Sequence, residues 1–147
     1  MEIKKAFSAG GVVYKIVDGV PHFLLLNKTD QGWVIPKVTV EAGENMETTA
    51  LREISEEAGL SKDKLRVVKK LGDLETEFFK DTVEYYKVTA IFLVEDISGA
   101  VPSPQAKEAF TEAKYFELDE AFEVLAYQNL RPYLVNAFDY LSVDRQV

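Results

Sequence analysis

Apolar residues along this chain follow two rhythms. Lys5 to Val17 (KAFSAGGVVYKIV) and Val20 to Leu26 (VPHFLLL) are β-rich runs joined at Asp18-Gly19, a dipeptide suited to a tight hairpin turn. Leu65 to Phe79 and Val83 to Val94 read as two long strands around a polar turn at Lys80-Asp81. The second of these is rich in aromatic and β-branched residues (YYKVTAIFLV). Trp33 to Ile35 is a short apolar piece before Pro36, and Ala113 to Glu117 is another short strand. Between them the period changes. Asn45 to Ala58 carries the helical repeat, with Gly59 placed to stop it. Gly99 to Gln105, with Pro102 and Pro104, is a loop. Asp119 is placed to cap a helix running to Ala126, and a last helix covers Pro132 to Leu141 with proline in its first turn.

Strands, helix, strands, helices: that order predicts a layered α/β (α+β) domain. At 147 residues and 16.6 kDa the chain suits one compact domain over 1–147 with a sizeable core. No repeat or long linker divides it.

Composition removes several kinds of chemistry. The absence of cysteine excludes disulfides, thiol catalysis and thiolate zinc sites. The single histidine, His22, follows Pro21 at the start of a strand, and no Ser-His-Asp arrangement stands out around it. A metal, if bound, must be held by carboxylates and carbonyls, which suits Mg²⁺ or Mn²⁺. A net charge of −8 repels nucleic-acid backbones and anionic membranes, so neither a polynucleotide nor a membrane is the expected partner, while a small polyphosphate could still bind where metal ions and a few local cations neutralise it. The longest apolar run, Val88 to Val94, falls far short of the roughly 20 residues that span a bilayer. The opening MEIKKAFSAGG lacks the apolar core of a secretory signal, which makes a cytoplasmic location the expectation.

The helical segment carries the candidate chemistry. Residues three and four apart share a helix face, so Glu53, Glu56 and Glu57 project to one side, with Leu51, Ile54 and Ala58 as the buried stripe. Taken alone, such a glutamate run reads as a solvated face. Three close carboxylates repel one another, and Arg52, four before Glu56, offers local compensation. A hard cation that takes oxygen ligands and bridges to phosphates would make the cluster favourable.

The longer pattern decides between these readings. From Val38 to Leu60 the chain resembles the Nudix hydrolase signature, G-x5-E-x7-R-E-U-x-E-E-x-G-U, where U is aliphatic. Glu44, Arg52, Glu53, Ile54, Glu56, Glu57, Gly59 and Leu60 stand at the required spacing. Chance agreement at the six polar or glycine positions is on the order of one in 10⁷ per starting point. The resemblance implies an α/β/α sandwich around a central mixed sheet, and a phosphoric anhydride hydrolase dependent on Mg²⁺ or Mn²⁺. It makes Glu56 and Glu57 the main metal ligands, Glu53 a further ligand or the base that activates water, and Arg52 the residue that keeps the glutamates in register. Glu44 would be hydrogen-bonded within the loop or reach the metal shell through water.

The chain departs from the signature at its opening glycine, which is Val38 here. The family uses that carbonyl as a metal ligand, and Val38 retains one. A left-handed backbone at valine would cost about 1–2 kcal/mol. The resemblance also implies an additional acidic ligand from the loop before the last strand; the position lands near Ala109, with Glu108 and Glu112 as the neighbouring candidates and Glu108 the better of the two.

Upstream, Trp33 to Glu44 resembles the W-x-x-P-K-G-x-x-E-x-G-E stretch of the branch that hydrolyses diadenosine tetraphosphate. That implies a substrate phosphate contact from Lys37, while Trp33 reads as core before pocket wall. Phe78, Phe79, Tyr85 and Tyr86 could stack on a nucleobase, Tyr85 and Tyr86 being the first candidates, although strand aromatics are usually core and alternation puts at most about half on one face. Dinucleoside polyphosphates are the first expected substrates. A mutT-like nucleoside triphosphate pyrophosphohydrolase and a non-catalytic nucleotide-binding module are the alternatives, with ADP-sugar hydrolysis less favoured. The oligomeric expectation is a monomer or homodimer.

Overall fold

The computed structural model describes residues 3–104 and 109–145, with side chains through 142. Its elements are β1 (Ile3–Val17), β2 (Val20–Lys28), β3 (Gly32–Val34), β4 (Lys37–Thr39), α1 (Met46–Ala58), β5 (Leu65–Lys80), β6 (Val83–Asp96), β7 (Phe110–Phe116), α2 (Leu118–Val124) and α3 (Arg131–Arg145). The sheet runs β3-β2-β1-β6-β5, with β4 also paired to β1 and β7 to β2. It is mixed, because β1 lies parallel to β6 from Ile3↔Glu84 to Tyr14↔Glu95 while its other pairings are antiparallel.

The central strands are apolar on both faces because both faces are covered. Val12, Phe23, Leu25, Ile91 and Leu93 point into a core closed by α2 and α3 through Ala121, Leu134, Ala137 and Leu141. The alternating residues Ala9, Val13, Leu24, Leu26, Phe92 and Val94 meet Ala50, Ile54 and Ala58 of α1. The result is the three-layer α/β/α sandwich. Gly11 sets how close α1 can come: a Cβ at that position would stand 2.7 Å from Ile54 Cδ1. Among the described residues no helix is long and apolar enough to cross a membrane.

The β1–β2 and β5–β6 hairpins each turn through two left-handed residues, Asp18-Gly19 and Asp81-Thr82. The second turn therefore sits one residue beyond Lys80-Asp81. The capping expectation for α2 fails. Glu117 occupies the cap position without a side-chain bond, and the helix ends at Val124 because Leu125 leaves helical geometry. Asp119 lies in the first turn, where its charge still favours the helix N-terminus.

Candidate functional site

The signature segment is held by local hydrogen bonds that follow from its sequence. Asn45 takes extended backbone and its side chain accepts the Thr48 N–H at 3.0 Å, which starts α1. Glu44, one residue earlier, closes the loop: its Oε1 accepts the Glu41 N–H at 2.8 Å. Its Oε2 accepts from the Thr49 hydroxyl and from Arg52 Nη2, each at 3.4 Å. Arg52 also lies 3.7 Å from Glu53 Oε1. The guanidinium thus spans Glu44 and Glu53, and the compensation expected along the helix toward Glu56 is replaced by a bridge back to the loop. At the far end Gly59 ends α1 in left-handed backbone (φ 65), where Ser103 N–H donates to the Ala58 carbonyl at 2.7 Å.

The expected solvated face is only partly solvated. Ile54 and Ala58 are buried as the stripe requires, but Leu51 is half-buried and Glu57 is 3% exposed. Glu53 is mostly covered, at 18% side-chain exposure, and Glu56 is half-buried. A carboxylate carried that far in is costly to keep ionised, and a divalent cation would lower the cost. Three carboxylates on adjacent turns are hard oxygen donors, which fits Mg²⁺ or Mn²⁺. Among the described residues no group of three acidic or histidine side chains already converges into a coordination shell.

Val38 sits on β4, opposite Ala9 of β1, and its backbone is not left-handed. Valine is at home on such a strand, so the replacement of the signature glycine carries no conformational cost here. Glu108 lies outside the described residues. Glu112 is exposed on β7, opposite Asn27. Trp33 packs edge-on against Phe116 with centroids 4.9 Å apart and belongs to the core.

Lys37 opens onto the other side of the sheet. Together with Leu74, Thr76, Lys87, Thr89, Tyr127, Asn129 and Leu130 it lines a cavity of about 160 Å³ between β4–β6 and the connection from α2 to α3. Cross-strand register assembles the floor, since Thr76 faces Lys87 and Leu74 faces Thr89. Burial pushes the Lys37 ammonium below the ordinary lysine value of 10.5, and the charges of Lys87 and Lys28 push it the same way. Lys87 is lowered too, by burial first and by Lys28 next. Although solvent still reaches much of Lys37, enough protein surrounds its tip to crowd three cations in a chain of net charge −8. Such a place attracts a polyanion.

The two tyrosines part company. Tyr85 faces the lysine side, stacked on Phe78 with centroids 5.0 Å apart and rings 6° from parallel. Tyr86 points to the α1 side, hydrogen-bonded to Glu75, which raises its pKa. Of the two, Tyr85 shares a face with the cavity, as strand alternation requires for adjacent residues. Lys87, Thr76, Thr89, Tyr127 and Asn129 escaped the sequence reading. Lys87 could have been found, because it is the one charge within YYKVTAIFLV, two residues from Tyr85 and so on its face.

A NUDIX domain profile matches residues 8–137. The Mycobacterium tuberculosis protein MutT4, named for a mutator role, is 29% identical over 131 residues, covering 84% of this chain and 51% of that protein. The chain therefore spans about half the length of this curated relative. A Caenorhabditis elegans Ap4A hydrolase binary complex superposes with a TM-score of 0.71 at 21% identity, over 93% of this chain and 98% of that one. The Escherichia coli dihydroneopterin triphosphate pyrophosphohydrolase gives a TM-score of 0.74 at 18% identity, over 91% and 95%. These structural likenesses carry the fold, which matches the sandwich described above.

Proposed function

The chain belongs to the Nudix family, and on that footing we propose that it is a pyrophosphohydrolase of nucleoside diphosphate-linked compounds, with dinucleoside polyphosphates such as diadenosine tetraphosphate as its first substrates. The observation that carries this reading is the pairing of a braced acidic helix on one side of the sheet with a crowded lysine cavity on the other, joined through β4. Lys37 lines the cavity while Val38, the next residue of β4 and opposite Ala9, is on the α1 side of the sheet.

Hydrolysis of a phosphoric anhydride requires charge neutralisation, a positioned water and a fixed leaving group. A bound divalent cation supplies Lewis-acid neutralisation of the pyrophosphate oxygens. Glu56 and Glu57 would hold it, with Glu53 and the Val38 carbonyl as further donors. If Glu53 stays outside that shell, it serves as the base that takes the proton from water. Arg52 acts at one remove, pinning Glu53 and Glu44 so that the loop and helix keep their spacing. Lys37 and Lys87 neutralise the phosphates distant from the cleaved bond, and the Tyr127 ring, 6.0 Å from Lys37 Nζ, offers an apolar wall beside them. Three mutually felt cations suit a long phosphate chain better than a monophosphate. Nucleoside triphosphate pyrophosphohydrolysis is the second reading, favoured by the identity to MutT4.

The test is a nucleotide panel with Mg²⁺ and identification of the products. Glu57→Gln should lower turnover by at least about a hundredfold while the circular dichroism and melting curve keep their cooperative form. A variant that turns over normally would refute the assigned role. Thermal stabilisation by a nucleotide that is never consumed would instead point to a binding module.

A further inference from the structure

The two sides of the sheet are covered unequally. On one side α2 and α3 close the core. On the other, α1 covers the strands from Ala9 and Ala90 onward and leaves the opposite ends of β1, β6 and β5 without a helix above them among the described residues. Register shows what stands there. Ile3 and Phe79 flank Glu84, Lys5 and Glu77 flank Tyr86, and Phe7 and Glu75 flank Val88, all on the α1 side. Three of these are large apolar groups in water: Ile3 is 60%, Phe7 44% and Phe79 67% exposed. Single exposed hydrophobics are ordinary on a soluble protein, but a contiguous patch marks a contact surface.

The patch deepens toward the signature loop. A cavity of about 550 Å³ lies between β1 and residues 39–46, with Phe7, Val40, Ala42 and Met46 as its apolar lining and Lys5 and Glu41 at its edge. Glu44, which ties the loop to Arg52, shares this rim. The surrounding charge is mostly negative. Glu41, Glu44, Glu75 and Glu77 border the patch and Glu84 stands within it, between Ile3 and Phe79; among the described residues Arg52 pairs with Glu44, and Lys5 stands in the row of Tyr86 and Glu77.

We propose that this uncovered half of the sheet is the docking site for a cationic amphipathic helix of a partner protein, laid beside α1 to complete that layer. Shape and charge both select this occupant. A sheet face next to an existing helix is covered by another helix at ordinary layer spacing, with apolar residues at helical intervals meeting Ile3, Phe7 and Phe79. Lysines and arginines on its flanks would meet Glu41, Glu75 and Glu77, and one reaching inward would meet Glu84. A second copy of this chain would bring the same acids against them, and the whole molecule carries −8, so self-association is opposed. An anionic membrane is opposed for the same reason.

The test uses a synthetic amphipathic peptide of about five helical turns, roughly 18 residues, with leucines on one face and lysines on the other, followed by fluorescence anisotropy. Micromolar binding is expected, weakening at least tenfold in Phe79→Ser, at least fivefold in Glu77→Gln, and steeply with added salt. A lysine-cavity variant, Lys87→Ala, should leave peptide affinity unchanged. Phe79 is at an exposed hairpin tip, so its replacement leaves the fold standing, which the melting curve would verify. Bound peptide should also slow amide exchange in residues 39–44. The proposal is overturned if a scrambled peptide of the same composition binds equally, or if Phe79→Ser has no effect. Concentration-dependent dimerisation of the protein alone, abolished by Phe79→Ser, would overturn it in favour of a second copy.

Discussion

Replacing Gly59 by alanine separates two kinds of cost at the end of α1. The residue is left-handed, with φ 65, and an added Cβ would overlap the Ser103 carbonyl oxygen. Left-handed backbone alone costs a non-glycine residue about 1–2 kcal/mol. The overlap is with backbone, so the loop carrying Ser103 must move, and its N–H then loses the 2.7 Å bond to the Ala58 carbonyl. A hydrogen bond of this kind contributes about 1 kcal/mol, and leaving the helix-end carbonyl unsatisfied adds to the loss. The expected destabilisation is about 2–4 kcal/mol, or roughly 5–15 °C in Tm for a domain of this size. Gly43 is the internal control: it is also left-handed, with φ 87, but a Cβ there meets nothing within 4 Å. Gly43→Ala should therefore cost only the backbone component, about 1 kcal/mol. Asparagine tolerates left-handed backbone yet still carries a Cβ, so Gly59→Asn should remain well below wild type in urea denaturation monitored by circular dichroism. If Gly59→Asn matches wild type, or if the two alanine variants lose the same stability, the steric argument is wrong.

Two pH-dependent outcomes follow from the titrating groups. Because the Lys37 ammonium sits below its ordinary 10.5, it loses its charge earlier than a free lysine as pH rises. KM for a polyphosphate substrate should climb in the alkaline range before 10.5, and Lys37→Arg, which stays charged, should flatten that climb. Tyr14 is held neutral to about 12, against 10.0, chiefly by burial and then by Glu95. Its folded value is the higher one, so its contribution is intact below pH 10 and is lost as pH rises from 10 towards 12. Unfolding free energy should drop there by up to about 1.4 kcal/mol per pH unit from this residue. Tyr14→Phe should be less steep over that interval, as read by urea titrations at successive pH values, and an identical slope would count against the assignment.

Much of the architecture was legible because its signals are local. The Asp18-Gly19 turn, the helical period ended by Gly59 and the doubly apolar β6 each follow from short-range chemistry. What escaped depends on neighbours distant in sequence. β4 is three residues long and exists because Ser8, Ala9 and Gly10 of β1 offer it partners. Glu57 is 3% exposed although it belongs to the face that helical periodicity assigns to solvent, because tertiary packing around α1 decides its burial. Arg52 was expected to serve Glu56, but the loop places Glu44 within reach, and loop geometry is not written in i to i+4 spacing. The lysine cavity joins residues 37, 76, 87 and 129, a set only the sheet register and the α2–α3 connection bring together.

The central parallel pairing also governs the order in which this molecule can assemble. Ile3 and Glu84 meet at one end of that ladder and Tyr14 and Glu95 at the other, partners roughly 80 residues apart along the chain, a closure that slows folding. During synthesis the β1–β2 hairpin can form early, yet one long edge of β1 stays open until Asp96 has left the ribosome. For that interval the nascent chain presents an apolar strand edge of the sort chaperones shield.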